Sequence, residues 1–83
     1  MHLAIGEQLR AARAMLRLEQ GQLAAAAGVH VNTVIKIEGS DGPISARMET
    51  VRRLERALEA AGIVFTDGDE PGVRLRKRAP TAA

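Results

Sequence analysis

Cysteine is absent from the chain, which excludes disulfides and thiolate-ligated metal sites and is compatible with a reducing compartment. Aromatic residues are nearly absent too: one Phe, no Tyr and no Trp. Proteins that hold single-stranded nucleic acid stack its bases on exposed aromatic rings, as do sheet-type RNA binders, so both classes are disfavoured. No apolar run is long enough to cross a bilayer, and the N-terminus lacks the basic-then-apolar layout of a signal peptide. A soluble cytoplasmic protein with no membrane association is therefore expected. Nor does one sign of charge dominate. The 12 Lys and Arg face 10 Asp and Glu, a formal net charge of +2 that is too small to argue for a polyanionic partner by itself. Placement of charge must carry any such argument.

What is present is helical patterning. At 83 residues there is room for one small domain, and its limited core makes self-association a plausible source of added stability. Ile5, Leu9, Ala12 and Leu16 recur at helical spacing, with Glu7, Gln8, Arg10 and Arg17 toward the other side. This predicts a first helix from near Ala4 to Arg17 or Leu18. Arg13 falls on the border of the apolar face, where a charge needs a partner. Glu38 is the candidate, in an Arg–carboxylate pair that would tie the first helix to the end of the third.

The stretch from Gln20 to Gly39 organises the rest. Leu23 and Ala27 lie one turn apart on one face of a short helix, and Val34 and Ile37 do the same on the next, so the two pairs can share a core. Ala24 is small where the helices pass closest. Gly28 falls where a left-handed residue commonly ends a helix, and Val29 turns inward behind it. The spacing predicts a helix-turn-helix, with a second helix over Gln20–Ala27 and a third over Val31–Ile37. Glu19 and His30 stand at their N-cap positions.

A loop follows from Gly39 to Pro43, and a fourth helix is expected from Ser45 or Ala46 to Gly62. Its apolar stripe is Met48, Val51, Leu54, Leu58 and Ala61; Glu55 and Glu59 join Arg52, Arg53 and Arg56 on a solvated side. The period then changes. Ile63–Thr66 and the alternating run from Val73 to Lys77 predict a β-hairpin, with Val73 and Leu75 facing one way and Arg74 and Arg76 the other. Two strands alone are marginal, so the hairpin must pack on the helices or pair with another chain. The expected architecture is mainly α: a four-helix unit over 1–62, a β-hairpin over 63–77 that dimerises or caps the core, and a disordered tail over 78–83.

Catalysis finds little support. Asp67, Asp69 and Glu70 form the only acidic cluster and lack the remaining ligands of a calcium loop. His2 and His30 are the only histidines, with no acidic or thiol cluster to complete a metal site. No nucleophile has a plausible base, and no glycine motif cradles phosphate. Neither an enzyme, nor a cofactor, nor a metal is expected.

Arg13, Gln20, Leu23, Ala24, Gly28, Val29, Val34, Ile37 and Glu38 fall in a familiar order and spacing. From Ile5 to Gly62 the chain resembles the phage-repressor and Cro type helix-turn-helix domains, the XRE family. The resemblance implies a repressor-like fold whose third helix enters the major groove of double-stranded DNA while the second crosses the backbone. It also implies a transcriptional regulator, a homodimer on a palindromic operator, and a nucleoid location when bound. By the same resemblance, Gln20 holds a phosphate, and Val31, Asn32, Thr33 and Lys36 face the groove. Asn32 is suited to adenine, Lys36 to guanine or phosphate, and Val31 and the Thr33 methyl to a thymine methyl. His30 serves as a local cap or a phosphate contact. Two departures stand out: Ile35 is apolar where the family usually has a polar residue, and the hairpin replaces a fifth, dimerising helix. The alternatives are an antitoxin that also holds a toxin, and a helical protein-interaction module without DNA binding.

Overall fold

Apolar residues one helical turn apart decide how the helices meet. The computed structural model describes residues 2–66 and 69–76. In chain order these form α1 (Gly6–Leu16), α2 (Gln20–Ala27), α3 (Val31–Glu38), α4 (Met48–Ala60), β1 (Ile63–Thr66) and β2 (Gly72–Leu75). The architecture is mainly α with a C-terminal antiparallel hairpin, as the patterning predicts. The tail expected from residue 78, together with Asp67 and Lys77, lies outside the described residues.

Leu9 and Ala12 of α1, Leu23 of α2, Val34 of α3 and Leu54 and Leu58 of α4 form a core with no solvent exposure. Each large apolar side chain removed from water contributes roughly 1.5–3 kcal/mol. α2 packs on α3 and α4, α1 packs on α3 and β2, and α4 packs on β1. Ala24 and Ala27 are buried, which suits the close passage of α2 against its neighbours.

The hairpin shares this core. Its register pairs Ile63 with Leu75 and Phe65 with Val73, so these four residues lie on one face. Ile63 and Phe65 are buried among the helical leucines, and Val73 packs against the same cluster. Leu75 remains exposed at the rim.

Two helices end in the same way. Leu18 N–H donates to Arg13 O and Arg17 N–H to Ala14 O; after α2, Val29 N–H donates to Ala24 O and Gly28 N–H to Ala25 O. Both are Schellman ends, which require one left-handed residue. Gly28 adopts φ 70° without penalty, whereas at the end of α1 the residue is Arg17, at φ 55°. A second glycine is set by close approach. Gly6 begins α1 beneath the end of α3, where an added Cβ would collide with Ser40 O and come within 2.6 Å of Ile37 O. The extended segment before it pairs with the α3–α4 loop, through Ile44 N–H to Ala4 O at 3.0 Å and Gly6 N–H to Gly42 O at 3.1 Å.

Several expectations from the one-dimensional pattern are corrected. Gln8, placed toward the solvated side of α1, is 2% exposed. Its Oε1 accepts from Ala4 N–H and Ile5 N–H, and its Nε2 donates to Thr66 O and Gly72 O, so one amide joins the N-terminal segment to both strands. Glu55, placed among the exposed residues of α4, is also buried, because the N-terminal segment covers it. Its Oε1 accepts from Leu3 N–H at 3.1 Å and lies 3.0 Å from His2 Nδ1. Met48 does not join the apolar stripe: α4 starts there rather than at Ser45 or Ala46, and the side chain is 68% exposed. α1 likewise starts two residues later than expected, with Ile5 as its N-cap. In each case a chain segment distant in sequence, or the lack of one, decides burial.

Gly6→Ala is expected to destabilise the fold by about 1–3 kcal/mol, since backbone on the far side cannot yield without moving α3. Arg17→Gly should act in the opposite direction, adding about 1 kcal/mol by relieving the left-handed position. Urea unfolding of the two variants against the parent protein measures both.

Candidate nucleic-acid interface

The outward face of α3 is defined by what holds its inward face. Val34, Ile37 and Glu38 are buried, and Glu38 is a charged group only 5% exposed. A carboxylate removed from water to that degree needs near-complete compensation. It receives a bidentate guanidinium, with Arg13 Nε at 2.8 Å from Oε2 and Arg13 Nη2 at 2.9 Å from Oε1. Gln20 Nε2 adds a third bond to Oε1 at 3.1 Å. Arg13 Nη1 donates to Leu18 O at 2.9 Å, in the α1–α2 connection. The expected pair is therefore present, and it gathers α1, α2 and α3 onto one carboxylate.

Hydrogen bonding to Glu38 raises the pKa of Arg13 above its already high ordinary value; the partial burial of the guanidinium opposes this, and the carboxylate's charge reinforces it. The cation is present at every accessible pH. Arg10 completes the attachment of α3. Its Nη1 donates to Glu38 O and its Nη2 to Asp41 Oδ1 at 3.0 Å, so a cation meets the last carbonyl of the helix.

At the other end of α3, His30 Nδ1 accepts from Asn32 N–H at 3.0 Å, a side-chain N-cap. Asn32, Ile35 and Lys36 are exposed, and Val31 and Thr33 are half-buried beside them. Among the described residues neither the Asn32 amide nor the Lys36 ammonium has a side-chain hydrogen bond. Five of the six residues singled out for contact thus lie together along α3 and its cap. Gln20 is adjacent, at the first turn of α2, but its NH2 group is used inside the protein by Glu38.

Two cations escaped the sequence reading as parts of this region. Arg47 and Arg53 line a shallow groove beside the start of α3, together with His30 and Thr33. Arg53 is positioned there by Nη1 donating to Gly28 O at 3.2 Å and by an ion pair with Glu49 at 3.0 Å. Nothing in the local pattern near Arg53 announces this, because the carbonyl that it reaches belongs to the α2–α3 turn. Arg47 had a weak signal, as a cation immediately before α4. A second recess lies by the C-terminal end of α3, lined by Lys36, Ile37, Ser40, Pro43, Ile44 and Ser45. Two recesses thus adjoin the helix, one lined by Arg47 and Arg53 and the other carrying Lys36 of α3 as its one basic side chain.

Among the described residues, no three His, Cys, Asp or Glu side chains gather as they would around a metal ion. No described helix is long and apolar enough to cross a membrane. A scan against protein-family models finds no match, and a search among curated proteins finds none either.

Glu38→Ala is expected to cost about 3 kcal/mol, because it strands the Arg13 guanidinium and the Gln20 amide. Arg13→Met combined with Glu38→Leu should recover most of that loss, since an apolar pair of similar volume needs no solvation. Equilibrium unfolding of the single and double variants tests both expectations.

Proposed function

We infer that the protein is a sequence-specific binder of double-stranded DNA, acting as a homodimeric transcriptional regulator of the repressor and Cro type. One observation carries this reading: α3 is anchored by its buried face while Asn32 and Lys36 are exposed on its outer face, their side chains without a hydrogen bond among the described residues. A helix held this rigidly and projecting an amide and an ammonium suits the major groove, where those groups match adenine N6 and N7 and guanine O6 and N7. Arg47 and Arg53, both on one flank of α3, suit phosphates along one edge of the groove. The modest net charge is no obstacle, because Lys36, Arg47 and Arg53 stand on or beside this helix and a local grouping of cations is what a phosphate meets.

Dimerisation belongs to the same proposal. The inner face of the hairpin is already committed to the core through Ile63 and Phe65, so its strand edges and the exposed Leu75 are what it can offer a second copy. Two recognition helices would then read half-sites one helical turn apart, about 34 Å. A cytoplasmic location accompanies this function. The competing reading is a helical protein-interaction module, and the exposed Met48 and Ile35 favour it.

Titration of labelled duplexes, selected from a random pool, separates these readings. DNA binding should weaken linearly in log–log terms as salt rises, by about 0.9 per phosphate neutralised. Asn32→Ala and Lys36→Ala should each lower specific affinity at least about tenfold with the fold retained, whereas Arg47→Ala should weaken binding uniformly across sequences and reduce the salt slope by about 1. Salt-independent or undetectable binding would overturn the reading in favour of a protein partner.

A further inference from the structure

Two ridges run side by side along the outer face of α3, each made of residues one turn apart. Asn32 and Lys36 form the polar ridge; Val31 and Ile35 form the apolar one. Val31 is half-buried and packs against the core. Ile35 is 47% exposed, although it lies on a helix whose Val34 and Ile37 are buried.

A single exposed isoleucine is ordinary on a protein surface. Its position here is what bears on function. Ile35 stands three residues after Asn32 and immediately before Lys36, so the apolar side chain is flanked by an amide and an ammonium that are also exposed. An apolar pocket on a partner protein would have to desolvate both of those groups to receive it. The edge of an A·T pair also displaces their water but offers hydrogen-bonding groups in exchange. In the major groove that edge presents the adenine N7 and N6, the thymine O4 and, beside them, the thymine C5 methyl, the one apolar group the groove contains. An amide paired with adenine and a branched aliphatic chain against the methyl satisfy the two kinds of surface together.

Resting on the reading of α3 as the DNA-facing helix, we propose that Ile35 is a specificity-determining residue that packs on the C5 methyl of a thymine next to, or paired with, the adenine read by Asn32. Recognition at that position is by shape and apolar contact, with no hydrogen bond from Ile35. Cytosine there lacks the methyl and is rejected, uracil is rejected for the same reason, and 5-methylcytosine regains the apolar contact while still presenting a different hydrogen-bonding edge.

The test uses the full chain and a duplex enriched from a random pool. Each thymine of the enriched site is replaced in turn by uracil, which removes one methyl and leaves every hydrogen-bonding group in place. At least one thymine in each half-site should weaken binding about fourfold on replacement, the effect of uncovering a single methyl. Ile35→Ala should bind the thymine and uracil duplexes equally, and Ile35→Val should keep most of the difference. Circular dichroism of both variants should match the parent, because the side chain is exposed. An enriched duplex in which no uracil replacement weakens binding, or in which Ile35→Ala shows the same uracil penalty, overturns the assignment of Ile35 and leaves DNA binding standing. If no duplex is enriched at all, the DNA-binding reading fails and this inference fails with it.

Discussion

The buried carboxylate of Glu38 is the constraint on which the arrangement of the first three helices depends. An isolated charge in that position would be costly, and only the combined donors of Arg13 and Gln20 make it tolerable. The pairing has little to do with net stability, since an apolar substitute could match it. Its consequence is geometric. A bidentate guanidinium and a carboxylate fit in one relative orientation, so α3 can neither roll about its axis nor slide along α1 without breaking two bonds. Rotation of α3 by one residue would turn Asn32 and Lys36 away from solvent, and the outer face would cease to exist as a surface.

A second polar group does for the hairpin what Glu38 does for the helices. The Gln8 amide is nearly sealed from solvent, yet both its oxygen and its nitrogen are satisfied by backbone groups of the N-terminal segment and of both strands. Glu55 ties the first residues to α4 in a similar manner. Among the described residues no buried side-chain polar atom is left without a partner. In so small a core such groups define which elements may dock and in what register, because a misplaced strand would leave the amide unpaired. The hairpin is held from below by Ile63 and Phe65 and from the side by Gln8.

These two constraints also explain the division of labour on α3. Every residue that fixes the helix is on one side, and the side chains left over are an amide, an ammonium and an isoleucine. The proposed recognition of base edges draws on all three chemical types, which is why the apolar residue belongs with the polar ones rather than apart from them.

Much of this was legible in the sequence. The apolar spacing of Leu23, Ala27, Val34 and Ile37, with Gly28 between, specified α2, the turn and α3 to within one residue, because helical periodicity and left-handed helix ends are local properties. The partnership of Arg13 with Glu38 was also readable, since a charge on the margin of an apolar face demands an opposite one. The alternation of Val73, Arg74, Leu75 and Arg76 foretold the hairpin face. What only the tertiary structure decided were the residues whose surroundings come from far along the chain. Gln8 and Glu55 looked like solvated helix residues until the N-terminal segment and the strands closed over them. Met48 looked like core until α4 began at that residue and left it outside. Gly6 carried no visible signal, because the carbonyls that forbid a side chain there come from the end of α3. Arg53 joined the flank of α3 only through a carbonyl in the preceding turn. Local pattern determines which backbone forms and which face is apolar; which polar groups end up buried, and which cations converge, depends on contacts between elements that no local pattern records.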